Sequence, residues 1–338
     1  MRLLSTVFVA LLTVTGSLIF TPQAIAQEDS LAAKYSEPDR ELMVSVEGGK
    51  VYVRLNGIIG KEAIPAVFVH GGPGGVHNPF AGMLGLADKR PIILYDQLDG
   101  GKSEQPNNPD NWHVERFVEE LEAIRVKLGA ERWHVVGHSW GSAIALEYAV
   151  RYPQHVVSTV LGGTYISTPH WITDANLLVL DAPATVKEML AACESKTPPT
   201  EQECSRAYTV LYSEFYQKTP PSKEAVAYDA RMGGNGFNPD IYNAMWGPSE
   251  FSSTGTLKTY DAVPLLKQVD GKRTMFLVGQ YDSARIDTVQ DYVKLTPGAE
   301  LGVVPGAAHN FFRDRPIATE AILRGWFERN DISCTSPL

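Results

Sequence analysis

The pentapeptide Gly137-His138-Ser139-Trp140-Gly141 is the first candidate for chemistry in this sequence. An apolar run precedes it at 133–136, and a helix-like stretch rich in small residues follows at 142–152. A G-x-S-x-G pattern between a strand and a helix is typical of a nucleophile elbow, a strained turn that exposes the serine hydroxyl. The pattern predicts that Ser139 attacks a carbonyl carbon. The alternative is a tight turn with a structural role only.

Two further side chains complete the expected catalytic set. In proteins with this elbow, the acid and then the histidine follow the serine along the chain. Of the 8 histidines, only His309 lies beyond the last predicted strands, so we assign it the role of general base. Asp282 follows the apolar run 274–279 and is the predicted acid, with Asp287 as the fallback. The alternative for Asp282 is a helix cap, a common use of aspartate.

A glycine-rich loop, His70-Gly71-Gly72-Pro73-Gly74, follows the apolar run 66–69. Acyl transfer needs backbone N–H groups near the oxygen that becomes charged, and glycines let the chain approach a substrate closely. We therefore predict an oxyanion hole made by the N–H groups of Gly72 and Trp140. The alternative is a turn that only connects a strand to a helix. The sequence has no His-Glu-x-x-His motif and no paired cysteine and histidine spacing, so we expect neither a metal nor a cofactor.

The elements that position these residues alternate between short β-branched runs and longer amphipathic stretches from about residue 42 onward. This alternation predicts an α/β fold, a mostly parallel sheet with helices on both faces. Leu42–Val46 is expected to pair with the first main strand through Gly48-Gly49. The main strands are predicted at Lys50–Leu55, Ala66–His70, Pro91–Asp96, Trp133–Gly137, Val156–Gly162, Thr274–Gly279 and Glu300–Val304.

The long stretch between the strands at 156–162 and 274–279 predicts several short helices. Its start signals are a capping box at Thr200 and Glu203 and an N-cap followed by proline at Asn238-Pro239, with another helix at 222–231. We place an inserted helical cap at 166–255, within a core that comprises 27–165 and 256–338.

Residues 1–26 are typical of a secretory signal, because Arg2 precedes a long apolar run and Ala24-Ile25-Ala26 resembles a cleavage site. We expect cleavage after this motif and export to the periplasm or the medium. The alternative is an uncleaved membrane anchor. Because an oxidising compartment allows thiols to pair, Cys193 and Cys204 are predicted to form a disulfide rather than to remain two separate thiols.

The charge balance argues against nucleic acid as a partner. The chain has 30 Lys and Arg against 39 Asp and Glu, so it lacks the basic footprint that binds phosphate backbones. No later segment approaches a membrane span, and we expect no membrane partner once the signal is cleaved. The sequence makes no prediction of the oligomeric state.

Four motifs of the sequence belong together: His70-Gly71-Gly72-Pro73-Gly74, Tyr95-Asp96-Gln97 with Gly100-Gly101-Lys102-Ser103, Gly137-His138-Ser139-Trp140-Gly141 and Gly279-Gln280-Tyr281-Asp282. With them, the chain resembles the proline iminopeptidase (prolyl aminopeptidase) family of α/β-hydrolase serine peptidases over about 45 to 328. The resemblance implies an α/β-hydrolase fold with an inserted helical cap and a serine aminopeptidase that acts on short peptides.

The resemblance also implies how the substrate is recognised. Gly247-Pro248-Ser249-Glu250-Phe251 is similar to the family's Gly-Pro-x-Glu-Phe stretch, whose glutamate binds the free amino terminus of the substrate. Glu250 would have that role here, and Glu214 is a weak second candidate. The chain departs from the family's usual Arg at Lys102 and from its usual Glu at Gln280 and Ser283. These departures leave the triad untouched and the substrate preference open.

The combined expectation is a secreted serine aminopeptidase that releases an N-terminal residue, with proline preferred, from small peptides through an acyl-enzyme. The nearer alternative is an esterase, lactonase or amidase of the same superfamily, whose small substrate needs no free amine. The remote alternative is a non-catalytic binding protein, against which the complete triad argues.

Overall fold

The computed structural model describes residues 35–60, 63–195, 197–232 and 236–335. Its strands are β1 (Arg40–Val46), β2 (Gly49–Asn56), β3 (Ala66–Val69), β4 (Ile92–Tyr95), β5 (Trp133–His138), β6 (Val156–Gly162), β7 (Thr274–Gly279) and β8 (Glu300–Val304). They form one sheet in the order β1-β2-β4-β3-β5-β6-β7-β8. Every predicted strand is present within two residues of its predicted bounds.

The sheet is antiparallel at one edge and parallel elsewhere. β1 and β2 form a hairpin through Gly48, as predicted, and β2 pairs antiparallel with β4. All pairs from β4 to β8 are parallel. Because parallel strands end at the same edge of a sheet, the loops that follow β3, β5, β7 and β8 meet there. These loops carry the predicted oxyanion hole, nucleophile, acid and base.

Both faces of the sheet are covered by helices, as predicted. Val67 and Phe68 are neighbours in β3 but belong to different buried apolar clusters, because successive strand side chains point to opposite faces. The described residues form α1 (Val114–Leu128), α2 (Trp140–Arg151), α3 (Thr168–Leu180), α4 (Ala184–Cys193), α5 (Glu201–Phe215), α6 (Lys223–Met232), α7 (Pro239–Met245), α8 (Ile286–Leu295), α9 (Phe311–Asp314) and α10 (Pro316–Thr335). α1, α2 and α8 pack on one face, and α10 packs on the other.

The helices α3 to α7 lie between β6 and β7, where short helices were predicted. The capping box precedes α5: the Glu203 N–H donates to Thr200 Oγ1 at 3.3 Å, and the Thr200 N–H donates to the Glu203 carboxylate at 3.0 Å. Asn238 caps α7 by accepting from the Asp240 N–H at 3.0 Å. α3 was not predicted individually. The boundaries of the helical cap at 166–255 remain a prediction.

A disulfide joins Cys193 at the end of α4 to Cys204 in α5, with Cα atoms 5.7 Å apart. The predicted signal at 1–26 lies outside the described residues. None of the helices in the described ranges has the length and apolar character needed to cross a bilayer. In the same ranges, no cluster of three or more His, Cys, Asp or Glu side chains is placed to hold a metal ion.

Candidate active site

Ser139 lies on a strained turn between β5 and α2. Its backbone has φ 55° and ψ −127°, a conformation that residues other than glycine rarely adopt. The flanking glycines make this turn possible, because a Cβ at Gly137 would lie 2.1 Å from the carbonyl oxygen of Gly141. A Cβ at Gly141 would lie equally close, 2.1 Å, to the carbonyl oxygen of Val69. The turn has the geometry of a nucleophile elbow and leaves Ser139 half-buried.

Asp282 and His309 form a buried pair at the same edge of the sheet. Nδ1 of His309 donates to Oδ1 of Asp282 at 2.7 Å. His309 is 2% exposed and Asp282 is 4% exposed. The backbone N–H groups of Gly279, at 3.1 Å, and Ala284, at 2.9 Å, also donate to this carboxylate and fix its orientation. With the proton on Nδ1, Nε2 of His309 is the nitrogen that can accept a proton from a hydroxyl.

The loop that carries His309 is held from two sides. From the cap, the carbonyl of Phe215 accepts the His309 N–H at 3.0 Å, and the carbonyl of Tyr216 accepts the Asn310 N–H at 2.7 Å. From the elbow, Nε2 of His138 donates to the carbonyl of His309 at 2.8 Å, and the two rings pack 4.6 Å apart. Burial and the neighbouring His309 lower the pKa of His138 to about 3, so this ring stays neutral. Cap and elbow together position the imidazole.

Gly72 and Trp140 both line the cavity that contains Ser139. In the part of the chain that the structure describes, neither backbone N–H donates to another protein group, so both remain available to a substrate oxygen. The side chain of Gln97 links the loop of Gly72 to the start of α2. It donates to the His70 carbonyl at 2.8 Å and accepts from Trp140 Nε1 at 3.1 Å. Burial lowers the pKa of His70 to about 4, and its neutral ring accepts the Gln97 N–H at 2.9 Å.

A cavity of about 370 Å³ extends from these groups into the helical cap. Ser139, Trp140 and His309 belong to its lining, together with Gly72. Its other walls are mostly aromatic and aliphatic, and include Tyr165, Trp171, Leu178, Leu211, Phe215, Phe237, Tyr242, Trp246, Phe251 and Leu257. Burial raises the pKa of Tyr165, so its hydroxyl remains protonated and neutral. The cavity suits an apolar group that is covered from bulk water.

Glu250 supplies the only carboxylate among the described residues that line this cavity. It is half-buried, and two neighbours orient it: Trp171 Nε1 donates to Oε2 at 3.0 Å, and the Tyr242 hydroxyl donates to Oε1. Trp171 also packs edge-on against the His309 ring, with centroids 5.4 Å apart. One indole therefore contacts both the predicted base and the predicted amine-binding carboxylate.

Two weaker candidates lie elsewhere. The Glu214 side chain is 61% exposed and pairs with Lys218 at 2.6 Å, so it belongs to a solvated ion pair at the end of α5 and not to the cavity. The structure thus corrects Glu214 as a second amine-binding residue. Asp287, the fallback acid, is 82% exposed and pairs with Arg285 at 3.2 Å.

Sequence reasoning missed the side chains that hold the site residues in place. His138 and Gln97 lie inside the quoted motifs, next to Ser139 and Asp96, so their positions were a usable signal. Trp171 and Tyr242 lie in cap helices, where no local pattern distinguishes them from ordinary core aromatics. Only the tertiary fold brings them to Glu250.

Comparison with known proteins places this chain in a family. A family model described as alpha/beta hydrolase fold matches residues 65–316. The chain is 34% identical to the proline iminopeptidase of Heyndrickxia coagulans over 284 residues, which cover 84% of this chain and 96% of the relative. It is 30% identical to the proline iminopeptidase of Levilactobacillus brevis over 290 residues, which cover 83% of this chain and 94% of the relative.

Solved structures agree with these relatives. The crystal structure of proline iminopeptidase from Mycobacterium smegmatis matches with a TM-score of 0.77 and 28% identity, over 87% of this chain and all (100%) of that one. The crystal structure of VinJ matches with a TM-score of 0.78 and 27% identity, over 87% of this chain and 99% of that one. Since both the fold and the sequence match over most of the chain, this serine hydrolase belongs to the proline iminopeptidase family of α/β hydrolases.

Proposed function

We propose that this protein is an exported aminopeptidase that releases the N-terminal residue, proline first, from short peptides. The observation that carries the proposal is the half-buried carboxylate of Glu250 in the same aromatic cavity as Ser139 and His309. An exopeptidase must recognise the free amine next to the scissile bond, and a carboxylate in a water-poor pocket is a charge-assisted partner for it. The aromatic walls suit the apolar ring of proline.

In the proposed reaction, Nε2 of His309 takes the proton of Ser139 while Oγ attacks the carbonyl carbon. Asp282 keeps the imidazole oriented and stabilises the imidazolium that forms. The N–H groups of Gly72 and Trp140 donate to the oxyanion of the tetrahedral intermediate. The imidazolium gives its proton to the leaving amine, which yields an acyl-enzyme. A water molecule, activated in turn by His309, then releases the amino acid and restores the serine.

Two properties of the chain support the choice of partner and compartment. Glu250 and most of the apolar cavity walls come from the helical cap, so a short peptide terminus is the ligand that suits this covered site. The disulfide between Cys193 and Cys204 favours export, because disulfides persist in oxidising compartments. We propose neither nucleic acid nor, after removal of the signal, a membrane as partner. A mature N-terminus at Gln27, read by mass spectrometry of the exported protein, is the expected result.

The decisive experiment on activity replaces Glu250 by glutamine, which keeps the shape of the side chain and removes its charge. Wild type and Glu250→Gln are compared on prolyl amides and on acyl esters that lack an amine. A charge-assisted contact contributes roughly 1.5–3 kcal/mol, so kcat/KM for the amides should fall by about 10- to 150-fold. Ester hydrolysis should stay close to the wild-type rate.

Two control variants test whether the effect of Glu250→Gln is specific to substrates that carry an amine. Asp282→Asn should slow both substrate types, because it impairs the base that every acyl transfer uses. Glu214→Gln changes an exposed glutamate of the cap outside the cavity and should change neither rate. Equal losses on amides and esters in Glu250→Gln, or no loss on either, would contradict the recognition of the amine and favour the esterase alternative.

A further inference from the structure

Glu250 lies at the tip of a tight turn, 249–252. Ser249 and Ser252 form an isolated antiparallel bridge, so they are the two ends of this turn, and Glu250 and Phe251 are its central residues. Within the turn, the Phe251 N–H donates to the Ser249 hydroxyl oxygen at 3.1 Å. The direction in which Glu250 enters the cavity therefore depends on how the two serines are held.

One carboxylate from the residue that follows α4 is hydrogen-bonded to both ends of the turn. Oε1 of Glu194 accepts from the Ser249 hydroxyl, and Oε2 of the same side chain accepts from the Ser252 hydroxyl at 3.1 Å. Ser249 is 7% exposed, so its hydroxyl is largely removed from water and depends on a protein partner. We propose that Glu194 is a positioning residue for substrate recognition, because it fixes the turn from which Glu250 reaches the substrate amine.

Glu194 lies next to two helices that are cross-linked and packed against each other. Glu194 directly follows Cys193, whose disulfide to Cys204 fastens α4 to α5. The two helices also pack through a small apolar cluster that includes Leu190 and Leu211. Leu211 lines the cavity, whereas Glu194 does not. Glu194 therefore acts on the substrate only through the turn.

The proposal rests on the proposed function, in which Glu250 binds the amine. Loss of Glu194 should loosen the turn and weaken the amine contact without touching the triad. Since a misplacement of about 1 Å can cost up to 10²-fold, and Glu250 itself remains present, we expect Glu194→Ala to lower kcat/KM on prolyl amides by roughly 5- to 20-fold. The loss should appear mainly in KM, and hydrolysis of amine-free esters should be unchanged.

The experiment measures kcat and KM on both substrate types for five variants. Glu194→Ala removes both contacts, whereas Glu194→Gln keeps a side chain that can bond to both serines and should restore most of the activity. Glu188→Ala removes an exposed glutamate within α4, close to Glu194 in the sequence, and serves as the matched control. Glu250→Gln and the double variant Glu194→Ala/Glu250→Gln complete the set. Thermal melting of each variant reports on the fold.

The double variant separates positioning from general support of the fold. If Glu194 acts through Glu250, its loss adds nothing once the Glu250 charge is gone, so the double variant should match Glu250→Gln on amides. Additive losses, equal losses on esters, or a Glu194→Ala enzyme that equals Glu188→Ala would overturn the proposal while leaving the proposed function intact. A Glu250→Gln enzyme without a selective loss on amides would overturn both. If Glu194→Ala does not fold, Ser252→Ala removes one end of the contact and must show the same selective loss.

Discussion

Gly163, the residue after β6, provides a test of the placement of His309. Its φ is 49°, and an alanine methyl there would lie 2.7 Å from Cε1 of His309 and 3.0 Å from Nε2 of His138. To reach an ordinary contact of 3.4 Å, the imidazole of His309 would have to retreat by about 0.7 Å. Both rings are buried, so neither has free space into which to move.

A retreat of this size should reduce turnover by Gly163→Ala by roughly 10- to 100-fold, because proton transfer depends on the position of Nε2. The left-handed backbone adds a cost of about 1–2 kcal/mol in stability. Gly129→Ala is the matched control, since Gly129 has φ 70° and no atom within 4 Å of the added methyl group. It should show similar backbone strain and normal kcat.

The assay combines kcat on prolyl amides and on acyl esters with urea denaturation of both variants. Both substrates should be slowed in Gly163→Ala, because the base acts on each of them. Wild-type kcat in a folded Gly163→Ala protein, or an equal loss in Gly129→Ala, would refute the reasoning that His309 works from the position seen beside Gly163.

Three further outcomes are expected. Ser139→Ala should lower turnover by about 10⁶-fold and keep the melting temperature, and labelling of this variant by a serine-directed phosphonate would refute the assignment. Burial lowers the pKa of His70 and of His134 from 6.5 to about 4, so the unfolded chain binds more protons than the native protein in this range. The free energy of unfolding should therefore fall as the pH decreases from about 6.5 to about 4, and a flat profile in urea titrations would contradict this. Non-reducing peptide mapping of exported protein should recover one cross-linked pair, Cys193 with Cys204, whereas alkylation of both thiols would exclude the bridge.

The sheet could be predicted, and candidate catalytic residues could be assigned, because their signals are local. Buried parallel strands such as β3 and β7 appear as short runs of apolar residues, and a strand, a glycine-flanked serine and a helix define the elbow. His309 could be proposed as the base because the chain order of serine, acid and base leaves one histidine beyond the last strands. These signals depend on neighbours in the chain and not on packing.

The hydrogen bonds that orient Glu250 and its turn could not be predicted, because the partner residues are far away along the chain. Trp171 lies 79 residues before Glu250, and Glu194 lies 55 residues before Ser249. No local feature of the sequence marks Trp171, an aromatic residue in a cap helix, as a neighbour of Glu250. The same holds for Glu194, an exposed residue directly after another cap helix, and the turn that it contacts. The same reasoning explains the error on Glu214, where a helix position alone did not reveal the pairing with Lys218.

The hairpin of α4 and α5 connects the two halves of the site. At the end of α5, the carbonyl of Phe215 accepts the backbone N–H of His309, the residue that we propose as the general base for Ser139. Directly after α4, the carboxylate of Glu194 accepts hydrogen bonds from both ends of the turn that carries Glu250, the residue that we propose binds the substrate amine. The disulfide between Cys193 and Cys204 links these two helices. The free amine and the carbonyl of an N-terminal residue are separated by one carbon atom. An aminopeptidase therefore needs a constant distance between the residue that binds the amine and the general base. A cross-linked hairpin that contacts both the loop of His309 and the turn of Glu250 is suited to maintain that spacing.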